Sequence, residues 1–245
     1  MAYDIPTVAS AMDQKIMQLD YISNNLANAA TPGYKAQHLR ALKNLEEASE
    51  AAETTPSNTA VYTDFSQGMA QKTGNPLDLN LQGDGFFVVQ TPTGQAFTRQ
   101  GNFTVNKLNQ IVTQFGHPVV GSGGGPITLT DGKVQISEEG FVYVSKNEAE
   151  SAESEIGKLK IVDFSNKQAL VNAGEGLYRD PGTAGMTQID KPKISVECVE
   201  SSNVNIVKEM ASMIDTHRLF ETYQKIIQTL SEEDKLSTSR IGRIG

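Results

Sequence analysis

IPTVASAMDQKIMQLDYISNNLANAA, residues 5–30, sets the architecture of the whole chain. Ile5, Met12, Leu19 and Leu26 recur every seven residues, and Ala9, Ile16 and Ala30 follow three of them by four. That spacing is a heptad seam along one side of an α-helix, widened by Val8 and Ile22. Asp13, Gln14, Lys15, Gln18 and Asp20 fall mostly off the seam. Thr31-Pro32-Gly33 stops the helix, because proline has no amide hydrogen and disfavours the helical state of its predecessor.

The far end repeats the design. Ser201, Ser202 and Asn203 are good N-cap residues, with Glu209 close behind. Ile206, Met213, Phe220 and Ile227 are again seven apart, and Met210, Ile214, Tyr223, Ile226 and Leu230 broaden the stripe. The pattern predicts a helix from about Asn203 to about Leu236, roughly 50 Å long at 1.5 Å per residue.

Neither helix buries its apolar seam alone, and an isolated helix is marginal in water. Covering such a seam is worth roughly 25 cal/mol per Å² of apolar surface. The two ends are therefore expected to pair, within one chain as a coiled-coil stalk and between chains as a filament or ring. The plainer alternative is a soluble α+β binding domain or enzyme whose terminal helices pack on its own β-domain. A helix lying on a membrane surface fits less well. Such helices carry Lys and Arg on the polar face, whereas residues 1–30 hold one lysine and three aspartates.

Between the ends the period changes. From Leu77 to about Val199 short β-branched runs alternate with turn signals: Gly83-Asp84-Gly85, Pro92-Thr93-Gly94, Asn106 to Asn109, Asp131-Gly132 and Glu139-Gly140. Strands are expected at 78–81, 85–90, 96–99, 103–106, 111–113, 119–120, 134–136, 142–144, 158–164 and 193–199. Gly121-Ser122-Gly123-Gly124-Gly125 reads as a flexible connection. Leu39, Leu42 and Leu45 suit a short helix, but the acidic, Ala/Ser/Thr-rich run from Glu46 to Asn58 reads as an extended arm. The expected class is α+β, with the terminal helices paired as a coiled-coil stalk and a central irregular all-β domain. The expected divisions are an N-terminal assembly helix at 1–35, an arm at 36–73, a β-domain at 74–200 and a C-terminal assembly helix at 201–245.

Composition removes several functions. The net charge is −8 and no Lys/Arg-rich run appears, which argues against nucleic acid as a partner, since cations must replace the phosphate counterions. The single cysteine, Cys198, closes no internal disulfide. No apolar run approaches the roughly 20 residues that span a bilayer, so no membrane insertion is expected. Asp4, Asp13 and Asp20 break the region where a leader would be apolar, so any route out of the cytoplasm is expected to be one that reads no cleaved leader.

Ser23-Asn24-Asn25-Leu26-Ala27-Asn28-Ala29-Ala30-Thr31-Pro32-Gly33-Tyr34-Lys35 closely resembles the N-terminal signature of bacterial flagellar basal-body rod and hook proteins. A second stretch resembles the start of that family's central domain. It runs from Thr73-Gly74-Asn75-Pro76-Leu77-Asp78-Leu79 through Gln82-Gly83-Asp84-Gly85-Phe86-Phe87 to Phe97-Thr98-Arg99-Gln100-Gly101-Asn102-Phe103. A third resembles the family's C-terminal helix: Glu200-Ser201-Ser202-Asn203-Val204-Asn205, then Glu209-Met210, Met213-Ile214, Arg218, Phe220, Glu221 and Lys225. The departure is Ala29-Ala30, where a Val or Asn is common in the family.

The resemblance implies a structural subunit of the rod, the drive shaft crossing the periplasm, with terminal helices forming the inner tube wall. It implies export through the flagellar type III apparatus. Its partners would be further copies and the other rod and hook (axial) proteins. The ending from Tyr223-Gln224-Lys225 through Asp234-Lys235 is most similar to a proximal rod protein. Asn24, Asn25, Leu26, Ala27, Asn28, Thr31, Gly33, Tyr34, Asn203, Val204 and Asn205 carry the family motif. Met12, Ile16, Leu19 and Leu26 with Ile206, Met213, Phe220 and Ile227 are the expected assembly interface.

No catalytic, cofactor or metal residue is expected. His38, His117 and His217 are far apart and show no ligand spacing. His217 falls near the seam, where the plain role is packing and the sharper one a pH-sensitive subunit contact. Asp78 and Asp84 could be imagined as a glycosidase pair. Asp84 between two glycines is better explained as a turn residue, and Asp78 as a solvent-facing strand residue. Cys198 reads as a buried thiol, and Gly121 to Gly125 lacks the Lys-Ser/Thr of a phosphate loop.

Overall fold

The computed structural model describes residues 5–41, 59–130, 132–145 and 153–241. Leu42, Leu45, the run from Glu46 to Asn58, Asp131 and Asp4 lie outside the described residues. The chain divides into two compact units. One comprises the described parts of 1–28, 37–63 and 204–245; the other comprises 29–36 and 64–203. The fold is α+β, with a helix at each end and a β-rich middle.

In the first unit, α1 spans Ile5–Ala27 and α2 spans Ile206–Ile241. α1 ends three residues before the expected Ala30. Near its end Asn25 holds the returning chain: its side chain accepts from Gln37 N–H and donates to Gln37 C=O, 2.9 Å each. α2 begins after Asn205, whose side chain accepts from Lys208 N–H at 3.1 Å, an N-cap bond. Its 36 residues make a rod of roughly 54 Å. The helices pack on each other, and Asn25 Nδ2 lies 3.5 Å from Glu209 Oε2. The end of α1 therefore meets the start of α2, and the two run antiparallel. Strands β1 (Gln37–Ala41) and β2 (Thr59–Thr63) pair antiparallel, with Leu39 opposite Val61. Leu39 is thus extended rather than helical.

The second unit is built on a six-stranded antiparallel sheet. In chain order its further strands are β3 (Ala70–Lys72), β4 (Leu79–Leu81), β5 (Phe86–Thr91), β6 (Gly94–Thr98), β7 (Thr104–Val105) and β8 (Ile111–Val112). They continue with β9 (Lys133–Ile136), β10 (Phe141–Ser145), β11 (Glu153–Lys158), β12 (Ile161–Phe164), β13 (Val171–Gly174), β14 (Leu177–Arg179), β15 (Met186–Gln188), β16 (Ile194–Val196) and β17 (Cys198–Glu200). The main sheet runs β13-β14-β6-β5-β12-β15; β9, β10 and β11 form another, and β4–β16, β3–β17 and β7–β8 are short pairs.

Strand β5 explains why the core has two sides. Phe87 and Val89 join one apolar cluster, Phe86 and Val88 the other, and all four are fully buried. A strand covered on both faces reads as a continuous apolar run, as here. Phe87 meets Phe103 edge-on at 5.1 Å on one side, and Phe97 meets Phe164 at 4.8 Å on the other.

Three expectations change. The strand expected at 158–164 breaks at Leu159-Lys160 into β11 and β12, which belong to different sheets. The strand expected at 193–199 breaks at Glu197, whose φ of 59° lies in the left-handed region, giving β16 and β17. The glycine run, expected as a flexible connection, is a hydrogen-bonded turn: Gly121 N–H donates to Gly125 C=O at 2.8 Å and Gly124 N–H to Gly121 C=O at 2.9 Å.

Candidate functional site

Residues 29–35, 73–103 and 200–203, parts of the three segments that carried the resemblance, lie together in the second unit. Gly33 N–H donates to Glu200 C=O at 2.7 Å, and Asn203 N–H to Tyr34 C=O at 3.4 Å. Asn203 Oδ1 accepts from Ala36 N–H at 2.8 Å, while its Nδ2 donates to Asp64 C=O at 2.7 Å. Asn203 is occupied by these contacts, so Asn205 caps α2 instead. The segments leading away to α1 and α2 are thus stitched together side by side.

Beneath these bonds lies a buried ion cluster. Lys35 Nζ donates to Glu200 Oε1 and, at 2.7 Å, to Ser66 C=O. Glu200 Oε1 also accepts from Gly68 N–H at 2.9 Å. Arg99 Nη1 lies 3.6 Å from Glu200 Oε2, and its guanidinium sits 5.2 Å over the Phe86 ring. Lys35, Glu200 and Arg99 are no more than 3% exposed. Burial pushes Lys35 and Arg99 below their ordinary pKa values, and Glu200 opposes that in both. Breaking a buried pair typically costs about 3–5 kcal/mol, since one charge is left uncompensated.

Steric fit forces glycine at two points. Gly33 has φ 67°, and a Cβ there would come within 2.6 Å of the Arg99 backbone. A Cβ on Gly68 would overlap the Ser201 carbonyl oxygen. None of Lys35, Arg99 or Glu200 was singled out from sequence as a site residue. The available signal was a charged residue inside each matched segment.

The expected interface residues lie in the first unit. Val8 and Ile22 are buried, while Met12, Leu19, Leu26, Met213, Phe220 and Ile227 are half-buried. Ile16 and Ile206 are 40% and 48% exposed. Among motif residues, Asn25 is buried, Leu26, Asn28, Thr31, Tyr34, Asn203 and Val204 are half-buried, and Asn24, Ala27 and Asn205 are exposed. α2 also buries Glu209 and Thr216 against α1's side of the unit, polar residues off the expected seam.

The residues weighed for chemistry are otherwise engaged. Asp78 is buried, not solvent-facing, and accepts from Asn75 Nδ2 at 3.0 Å. Exposed Asp84 accepts from Lys167 Nζ, a bond that holds its carboxyl below the ordinary range. His117 pairs with Glu175 at 3.0 Å. His217 is 60% exposed and lies 3.5 Å from Glu221, one turn on, so it sits outside the helical seam. His38 lines a groove with Tyr21, Ile22 and Glu209. Cys198 is half-buried rather than buried, at the start of β17. Among the described residues no group of three or more His, Cys, Asp or Glu could hold a metal ion, and no helix is long and apolar enough to cross a membrane.

A chain with packed terminal helices, and with its helix-leading segments clamped to a β-rich unit, is built as a structural subunit. Comparison with known proteins agrees. Residues 5–35 match the family described as flagella basal body rod protein, residues 80–144 the flagellar hook protein FlgE/F/G D1 domain, and residues 197–238 the flagellar basal body rod FlgEFG protein C-terminal. The chain is 31% identical over 236 residues to the flagellar basal-body rod protein FlgF of Caulobacter vibrioides, covering 93% of each. It is 33% identical over 245 residues to FlgF of Salmonella typhimurium, covering 96% of each. It is 30% identical to FlgG of Caulobacter vibrioides over 250 residues, 92% of this chain and 94% of that one. The chain belongs to the flagellar basal-body rod protein family and is a structural subunit of the flagellar rod.

Proposed function

We infer that this subunit is a proximal rod component that polymerises with further copies and with other axial proteins through α1 and α2, paired as a coiled coil. It is exported without a cleaved signal peptide, through the flagellar export apparatus, and transmits torque across the periplasm. It carries out no catalysis. The likeness to FlgF and FlgG over nine-tenths of the chain supports the proximal assignment. One observation carries the assembly reading. α1 and α2 cover each other's inner faces, yet Ile16, Val207, Met210 and Ile214 remain between 40% and 77% exposed. Exposed apolar side chains clustered on helices mark surfaces that a partner covers. Deleting residues 1–30 tests this: the truncated chain is expected to keep a folded second unit and to fail to enter the rod. Incorporation at the normal level would overturn the reading.

A further inference from the structure

Resting on that assembly reading, we propose that copies of this chain join side to side, the outward face of α1 in one copy against the outward face of α2 in the next. Asp20 then faces Arg218, and Asp13 faces Lys225. Within a single chain, two charges on each helix are left over. On α1, Lys15 is engaged with Gln18 at 3.0 Å. On α2, Glu221 lies against His217 at 3.5 Å. Asp13, Asp20, Arg218 and Lys225 are exposed, and their side chains have no partner among the described residues.

The two pairs match in sign and in spacing. Asp13 and Asp20 are seven residues apart, as are Arg218 and Lys225, so each pair lies two turns apart on one helix face. At about 100° per residue, both pairs fall on the side away from the buried positions: Val8 and Ile22 on α1, Glu209 and Thr216 on α2. Lys208 and Asp215 sit on the flank of α2. The same faces carry apolar surface, Ile16 between the two aspartates and Val207 and Ile214 N-terminal to Arg218. Over the paired span the face of α1 is acidic and that of α2 is basic, so the contact is heterologous; Glu232, the next exposed charge along that face of α2, falls opposite Pro6 in this register and meets neither aspartate. Each copy added leaves a fresh face of either sign, and the contact propagates.

The geometry also sets a register. α1 and α2 are antiparallel within a chain, so they are antiparallel between neighbours of like polarity. Asn25 lies against Glu209; five residues back, Asp20 is level with Ile214, five residues on. Arg218 is four residues further, so facing Asp20 with Arg218 staggers neighbouring copies by about 6 Å along the helices.

The test is charge exchange in the full-length chain, read by sedimentation velocity over a range of protein concentration. One variant carries Asp13→Lys with Asp20→Lys, the other Arg218→Glu with Lys225→Glu; circular dichroism and thermal melting confirm that each folds. Each alone is expected to associate at least about tenfold more weakly than the parent chain, because like charges then face each other. The equimolar mixture is expected to return to within about threefold of the parent, since both of its contacts are again of opposite sign. If the mixture stays as weak as its components, or either variant alone associates like the parent, the proposed contact is wrong while assembly through the helices stands. A parent chain that remains monomeric throughout would overturn both.

Discussion

Lys35 and Glu200, 165 residues apart in sequence, form a salt bridge in which both side chains are at most 1% exposed. A buried carboxylate that loses its ammonium keeps its desolvation cost without the Coulomb return. Lys35→Met is expected to destabilise the second unit by about 3–5 kcal/mol. For a unit of this size that is a fall in Tm on the order of 10 °C, which differential scanning calorimetry would read. A loss below about 1 kcal/mol would mean that Arg99 alone neutralises Glu200.

The same pair bears on where the β-rich unit can be cut. A fragment covering 74–199 lacks Lys35, Gly68 and Glu200, leaving the Arg99 guanidinium buried without its carboxylate. A fragment covering 29–203 keeps the cluster and the Asn203 bonds to Ala36 and Asp64. The longer fragment is expected to melt cooperatively and the shorter one at markedly lower temperature, by circular dichroism. Equal melting temperatures would show that the cluster is peripheral to that unit's stability.

These contacts also show what the sequence could and could not reveal. The helices were legible because heptad spacing is a local, periodic signal, and β5 because four apolar residues stand together from Phe86 to Val89. β13 and β15 were not: Val-Asn-Ala-Gly and Met-Thr-Gln are edge strands exposed throughout, and neither shows alternation. Asp78 misled because a carboxylate on a strand usually faces water, whereas here it is held inside by Asn75. The ion cluster was invisible for a different reason. Lys35, Arg99 and Glu200 come from three distant segments, and only the folded chain brings them together.

A pH-dependent contribution is expected from Asp84, which Lys167 holds below its ordinary pKa of 3.8. A carboxyl with a depressed pKa in the folded state stabilises fully above the unfolded value, and that stabilisation is lost as pH falls through the folded value. The carboxyl carbon of Asp84, followed by NMR, should titrate below an ordinary aspartate. Lys167→Met should bring the midpoint back up. An unchanged midpoint in that variant would show that the ion pair does not persist in solution, where its exposure leaves it open to screening by salt.

Two faces of the helices should respond differently to the same substitution. Leu19 is half-buried on the inner side of α1, and Ile214 is 54% exposed on the outer side of α2. An aspartate at position 19 places a charge where α1 meets α2, and the cost of desolvating it disfavours their packing even with Lys15 one turn before it. Leu19→Asp is therefore expected to lower helical content by circular dichroism and to block incorporation into the rod, while the second unit stays folded. Ile214→Asp lies on a face more than half open to solvent in the single chain, so it should leave helical content nearly unchanged and still reduce incorporation severalfold, because most of its cost arises when a neighbour covers that face. If Ile214→Asp incorporates normally, the outer face of α2 is not a subunit contact. If Leu19→Asp leaves helicity and incorporation untouched, the inner seam does not hold the two helices together.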